Sequence, residues 1–298
     1  MTATTLDTRK PAGAKIIDGR DVAKKMRVEQ KERVDALEVA TGVIPGLAVI
    51  LVGEDPASAL YVSNKVKACE AVGIQSFSHR FPATITNEEL LGLIKTLNAD
   101  PSVHGILVQL PLPAHIDMEQ VLETIAPEKD VDGFHLYNVG ALVVGRQIFP
   151  PCTPFGVMNL LKHENIPIEG RNVVVVGASN IVGKPMALML MAQDATVAIC
   201  HAKTRDLAQF TILADILVVA AGVPNLILPQ MVKHGVVVID VCINRLPSGK
   251  VVGDVDFEGV SKKASYITPV PGGVGPMTIA MLLENTLQSA ERYGRKLG

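Results

Sequence analysis

Tryptophan is missing from this chain, and aromatic residues make up only 4% of it. Its apolar mass is Val, Ile, Leu and Ala, a composition that suits parallel strands covered by helices on both faces. A surplus of one charge is also missing. The formal net charge is −2, so no basic field points to nucleic acid or to an anionic membrane surface. Cysteines are few and scattered: Cys69, Cys152, Cys200 and Cys242 form no C-x-x-C pair. That argues against a zinc site or a disulfide framework and for reduced thiols, so a cytoplasmic location and no metal are expected. No apolar run reaches the roughly 18–20 residues of a membrane span. Residues 1–15 are rich in Thr and Ala and mildly basic. They read as a frayed tail, since a transit peptide would want repeated Arg and would avoid Asp7.

What is present suggests two α/β domains. The chain has 298 residues, 48% of them hydrophobic, which is more than one core usually serves. Residues 21–40 have helical spacing and end at Gly42, and residues 47–52 read as a buried strand. Asp55-Pro56 opens a helix that Gly73 closes. Residues 76–81 form a short strand, Thr86 to Glu89 make a capping-box pattern, and residues 105–110 are an apolar strand ending in Pro111-Leu112-Pro113. Pro150-Pro151-Cys152-Thr153-Pro154 is the strongest punctuation. After it comes a helix at 155–163, then strands at 172–176, 196–200, 216–220, 236–240 and 266–267, and a last helix at 277–293. The expected division is residues 1–150 plus 277–298 for one α/β domain and 151–276 for the other, with the last helix packing back on the first.

The strongest chemical signal is four valines followed by Gly177-Ala178-Ser179-Asn180-Ile181-Val182-Gly183. A buried strand, a glycine turn and a helix start form an anion site suited to a pyrophosphate. Ser179 stands near the place of the usual middle glycine, so the same run also reads as a plain βα turn. After the second strand of this half comes His201-Ala202-Lys203-Thr204-Arg205, with no carboxylate for a ribose 2′-hydroxyl and with two cations. That favours NADP, although the two cations also read as solvent-facing side chains. Tyr61 and Lys65 lie four apart on one helix face, and an aromatic ring beside an amine suits a flat substrate and a proton-transfer group. A surface lysine lying over a tyrosine is the plainer reading. Gln109 falls near a strand's C-terminal end, where α/β sheets place ligand groups. Asp130 and Asp132 precede Gly133 and are either turn caps or a grip on a guanidine-like ring edge. Residues 268–278 are dense in Gly and Pro and lead into a helix, a loop that can bring backbone N–H groups to a ligand.

Together these segments resemble the bifunctional methylenetetrahydrofolate dehydrogenase/methenyltetrahydrofolate cyclohydrolase family. The matching stretches are Tyr61-Val62-Ser63-Asn64-Lys65, the run from His104 to Pro113, Pro127 to Gly133, Pro151-Cys152-Thr153-Pro154, Gly177 to Pro185 and Pro269 to Thr278. The resemblance spans nearly the whole chain from Ile17. It implies two α/β domains, the second a Rossmann-like, doubly wound, mostly parallel sheet, and a homodimer. It implies oxidation of 5,10-methylenetetrahydrofolate by NADP, then hydrolysis to 10-formyltetrahydrofolate. In family terms Lys65 is the general acid/base, Tyr61 stacks on the folate, Gln109 orients Lys65, and Asp132 holds the pterin ring. Gly177, Ala178, Ser179, Ile181, Val182, Ala202, Lys203, Ile243 and Thr278 line the cofactor, and Gly272 and Gly273 border both ligands. Many members carry Arg in place of Ala178 and Ser in place of Ala202. Lys203, Arg205 or Lys184 would then meet the 2′-phosphate, or NAD would be accepted. The competing readings are retention of one activity only, an NAD-dependent dehydrogenase of another small metabolite, and a non-catalytic dinucleotide sensor.

Overall fold

The computed structural model describes residues 13–297. The tail expectation for residues 1–12 lies outside the described residues. Its last residues are not frayed. Lys15–Ile16 form a short strand, β1, and the Lys15 and Ile17 N–H groups donate to Ser265 O (2.8 Å) and Ile267 O (2.9 Å). These residues join the second sheet, although the sequence grouped them with the first half, because an otherwise open parallel edge offers them acceptors.

The first half runs α1 (Gly19–Thr41), β2 (Gly46–Val52), α2 (Pro56–Val72), β3 (Gln75–Phe81), α3 (Asn87–Ala99), β4 (Gly105–Val108), α4 (Met118–Thr124) and α5 (Leu136–Val143). Its strands form a parallel sheet in the order β3-β2-β4. All seven residues of the central strand β2 are buried, as a Val/Leu/Ile run between two helical layers requires. The caps follow the sequence closely. Asp55 accepts from Ser58 N–H, and Thr86 and Glu89 make both bonds of the capping box.

The second half runs α6 (Cys152–His163), β5 (Asn172–Val176), α7 (Gly183–Met191), β6 (Thr196–Cys200), α8 (Leu207–Thr211), β7 (Ile216–Val219), β8 (Val237–Asp240), the hairpin β9 (Asn244–Arg245) and β10 (Val251–Val252), α9 (Phe257–Val260), β11 (Tyr266–Ile267) and α10 (Val274–Leu297). Its six-stranded sheet is parallel throughout, in the order β1-β11-β8-β7-β5-β6. The strand order reverses beside β5, which places a crevice at the C-terminal ends of β5 and β7.

Helix α10 ties the halves together by packing on both α1 and α6. The buried Gln30 donates to Ala280 O and Glu284, while Arg33 grips Glu284 and Glu291. At the inner end of the contact the buried Asn285 donates to Val131 O (2.8 Å) and Pro150 O (3.0 Å), pinning the loop of Asp132 and the junction before α6.

His104, just before β4, is buried. Its Nδ1 accepts from Gly46 N–H at 3.0 Å, and its ring meets Tyr293 edge to face. Burial, with help from Lys129, lowers its pKa from 6.5 to about 4. The folded protein therefore holds fewer protons here than the unfolded chain between those values. This contribution to stability is present above about 6.5 and is lost as the pH falls toward 4. His104→Asn keeps an acceptor for Gly46 and removes the titration. Its melting temperature is expected to depend less on pH in that window, despite a lower absolute value from lost packing. An unchanged slope in thermal melts from pH 7 to pH 4 would sink this assignment.

Candidate active site

Two clusters of side chains stand at the C-terminal edges of the two sheets. In the first, Lys65 sits on α2 one turn after Tyr61, so both share a face. Asp55 and Pro56 start this helix and thereby set the phase of that face. Gln109 follows β4, its N–H bonded to Ile50 O of the neighbouring strand β2. Its Nε2 donates to Leu110 O (2.7 Å), which leaves Oε1 facing Lys65, whose Nζ donates to it at 3.0 Å. The structure thus joins two residues 44 apart in sequence.

The two neighbouring carboxylates divide their work. Asp130 is buried and accepts from the N–H groups of Gly133, Phe134 and His135 and from Asn138 Nδ2. It is the turn cap. Asp132 is half-buried and faces Lys65 and Cys152. Burial pushes its carboxyl above the ordinary range, while the Lys65 ammonium draws it back down. The buried Cys152 thiol donates to Val131 O (3.3 Å), and burial raises its pKa, so it supports the site as a neutral group. Tyr61 is exposed, with its ring free to take a planar partner. Gly272 and Gly273 lie against the start of α1, where Arg20 covers Gly272 and Gly19 abuts Gly273 O.

The second cluster surrounds the end of β5. Gly177 has φ +117°, and a Cβ there would run into Ala220 O, while one on Gly183 would run into Gly177 O. Only glycine lets β5, β7 and α7 approach this closely. Ser179 Oγ accepts from Val182 N–H (3.2 Å) and Gly183 N–H (3.4 Å), fastening the turn to the helix. The N–H groups of Ala178, Ser179, Asn180 and Ile181 have no acceptor among the described residues. Four successive free donors at a helix start fit a pyrophosphate, so the residues present suit a bound dinucleotide. Ile181 and Ile243 are exposed apolar side chains on this edge, and Ile243 lies beside Gly275. Thr278 pairs with Thr153 at 3.1 Å where α10 meets α6. Ala202 and Lys203 sit on an exposed turn after β6, braced by His201 N–H to Thr204 Oγ1 and Lys203 N–H to His201 Nδ1. Lys203 and Arg205 are exposed and have no ion-pair partner among the described residues. Lys184 is taken up by Asn180 Oδ1 at 2.7 Å.

The sequence reading passed over some supporting residues, namely Cys152, Asn285, Asp240 and Asp254. A signal existed for Asp240, a carboxylate that ends a wholly apolar strand. Cys152 stands in the proline-rich junction at 150–154, read there only as punctuation, and Asn285 and Asp254 carry no pattern of their own. Among the described residues no group of three or more metal-ligating side chains occurs, and no helix is long and apolar enough to cross a membrane.

Comparison with known proteins places both clusters in one family. Residues 17–132 match the catalytic-domain model of tetrahydrofolate dehydrogenase/cyclohydrolase, and residues 151–294 match the NAD(P)-binding-domain model of the same family. The chain is 60% identical over 284 residues to the bifunctional protein FolD of Nitrosospira multiformis, covering 95% of this chain and 98% of that one. A solved structure of the bifunctional enzyme FolD-methylenetetrahydrofolate dehydrogenase/cyclohydrolase from Campylobacter jejuni is 58% identical, with a TM-score of 0.92 over 94% of this chain and 99% of that one. The Trypanosoma brucei FolD, solved with NADP cofactor and an inhibitor, is 43% identical, with a TM-score of 0.91 over 95% and 99%.

Proposed function

Since this chain belongs to the tetrahydrofolate dehydrogenase/cyclohydrolase family, we propose that its two clusters divide two consecutive reactions on one folate. The enzyme oxidises 5,10-methylenetetrahydrofolate to 5,10-methenyltetrahydrofolate and hydrolyses that product to 10-formyltetrahydrofolate. NADP, when bound, supplies the hydride acceptor. The methylene carbon between two nitrogens gives up hydride readily because their lone pairs stabilise the cation left behind. Oxidation therefore needs placement more than a strong base. Tyr61 offers its ring to the folate, Asp132 holds the pterin edge, and the free N–H groups of residues 178–181 hold the pyrophosphate.

Hydrolysis needs proton movement. Water adds to the methenyl carbon and loses a proton, and one C–N bond then opens with a proton delivered to nitrogen. Lys65 Nζ is the group suited to both transfers, with Gln109 Oε1 fixing its direction. The observation that carries this reading is the Lys65–Gln109 hydrogen bond beside Asp132. Lys203 and Arg205, exposed and free of ion-pair partners among the described residues, would meet the 2′-phosphate in the absence of an Arg at 178 and a Ser at 202.

The folding units of this reading are residues 1–150 with 277–298, and residues 151–276, except that residues 15–17 pair with the second unit. The active form is a cytoplasmic homodimer. Support for pairing comes from the second sheet's edge at β6, where Met191, Ile199, Phe210 and Leu213 are exposed apolar side chains on and beside the open strand.

Absorbance of the methenyl product, formed from methylenetetrahydrofolate with NADP and then with NAD, tests the dehydrogenase. Turnover is expected with NADP well above NAD. A preference for NAD would overturn the assignment of Lys203 and Arg205, and no turnover with either would leave the cyclohydrolase alone.

A further inference from the structure

Beneath the dinucleotide edge lies a pair of buried carboxylates that no step above uses. Asp240 ends β8 and is 3% exposed, and Asp254 is fully buried. The Asp240 carboxylate accepts from the N–H groups of Asp254 and Val255, both at 3.0 Å, and its own N–H donates to Thr268 Oγ1 at 2.8 Å. Asp254 faces the opposite way. Its Oδ2 accepts from two successive N–H groups, Ala221 (2.7 Å) and Gly222 (2.8 Å), and its Oδ1 accepts from Asn244 Nδ2 (2.8 Å).

The segments so tied all border the second cluster. Ala220 and Ala221 follow β7 beside Gly177 and lead into Gly222, Asn244 adjoins Ile243, and Thr268 opens the Gly- and Pro-rich loop that leads to Thr278. Two N–H groups on one carboxylate oxygen make a short, charge-assisted grip on a turn. Without it the turn has only ordinary loop contacts to oppose its freedom. We propose that Asp254, held in place by Asp240, is a positioning residue for the dinucleotide site, fixing the Ala221–Gly222 turn and the Ile243–Asn244 segment in the shape that receives the cofactor. It touches neither Lys65, Gln109 nor Asp132 in the hydrogen-bond pattern, so hydrolysis, which needs no dinucleotide, does not depend on it. Cys242, the other titratable group against this pair, has its thiol pushed up to about 12 by burial and by Asp254, and stays neutral.

The inference rests on the dinucleotide reading, and the enzyme's second activity supplies an internal control. In Asp254→Ala, measured as full-length protein, the KM and Kd for NADP are expected to rise by about tenfold or more, while cyclohydrolase kcat/KM keeps its wild-type value. Asp254→Asn, whose amide oxygen can still accept from both N–H groups, is expected to recover most of the affinity. Wild-type NADP affinity in Asp254→Ala would overturn the proposal. So would a parallel fall of both activities with the folded fraction, the mark of a merely structural role. Should Asp254→Ala fail to fold, Asn244→Ala removes one tie at a partly exposed position. A smaller rise in NADP KM with unchanged cyclohydrolase is then expected, and no rise overturns the proposal. A wild-type enzyme that binds no NADP would instead sink the dinucleotide reading and this inference with it.

Discussion

Lys65→Met is expected to lower cyclohydrolase turnover by about 10³-fold, within the range that a positioned acid or base contributes. Methionine matches the lysine stem in length, so the contacts of α2 with its neighbours persist. Only the amine is lost, and with it the donor to Gln109 Oε1. Gln109 remains anchored through Nε2 to Leu110 O and can turn its freed oxygen toward water in this half-buried site. The fold should therefore survive, with a melting temperature near that of the wild type. Hydride transfer should suffer less, because it depends on placement of the two ligands and needs no proton moved at the methylene carbon. Decay of methenyltetrahydrofolate absorbance, corrected for its spontaneous hydrolysis, measures the first effect, and circular dichroism checks the fold. A variant that hydrolyses the methenyl substrate at the wild-type rate would remove Lys65 from the mechanism.

Gly177→Ala should produce the opposite split. The added Cβ would run into the Ala220 carbonyl, and the backbone at this position has φ +117°, where side chains with a Cβ are strained. Two fixed backbone segments would have to separate, at a cost of about 1–3 kcal/mol from crowding alone. The separation moves the donors of residues 178–181 away from one another and shifts the Ala221–Gly222 turn. Dehydrogenase turnover at a fixed NADP concentration is expected to fall by about 10²-fold, since misplacement of an ångström costs that much. Cyclohydrolase turnover per folded molecule should persist, because Lys65 on α2, Gln109 after β4 and Asp132 in the loop before α5 belong to the first half, away from this turn. Paired assays of both activities on one preparation, with NADP binding followed by calorimetry, decide the matter. Equal loss of both activities would mean that the two clusters are not separable in the way the geometry indicates.

The two variants together would dissociate the reactions in both directions. That separation has a physical basis in the fold. The proton-transfer group stands at the edge of a three-stranded sheet and the anion-binding turn at the edge of a six-stranded one. Helix α10 and the loop before it are the shared element, with Asn285 bonded to the Asp132 loop and Thr278 to Thr153.

Much of this was legible along the chain because its signals are local. The valine run and glycine turn at 172–177, the capping box at Thr86, the Asp55-Pro56 helix start and the proline-rich junction at 150–154 each depend on neighbours within a few residues. Tyr61 and Lys65 shared a face as soon as the helix was recognised. The strand at 15–16 was missed because its only reason to form is a partner edge some 250 residues later. Asp130 and Asp132 could not be told apart by spacing. One is a turn cap and the other faces Lys65, and the difference lies in which side of the loop is buried.

The sequence by itself located the main strands and helices of both halves, pointed to parallel sheets, and marked which residue types could bind or move a proton, but not the short elements β1, α4, α5, α8, α9 and the β9–β10 hairpin. Periodicity, capping and glycine turns act over a turn or two of chain, and burial of apolar runs requires helices on both faces. Only the tertiary structure decided that Lys65 meets Gln109 and that Asp254 reaches the Ala221–Gly222 turn. Those pairings join segments tens of residues apart, and their distances are set by how strands align in register and how α10 packs across both halves. No local pattern records such a distance, because it arises from the summed packing of the whole chain.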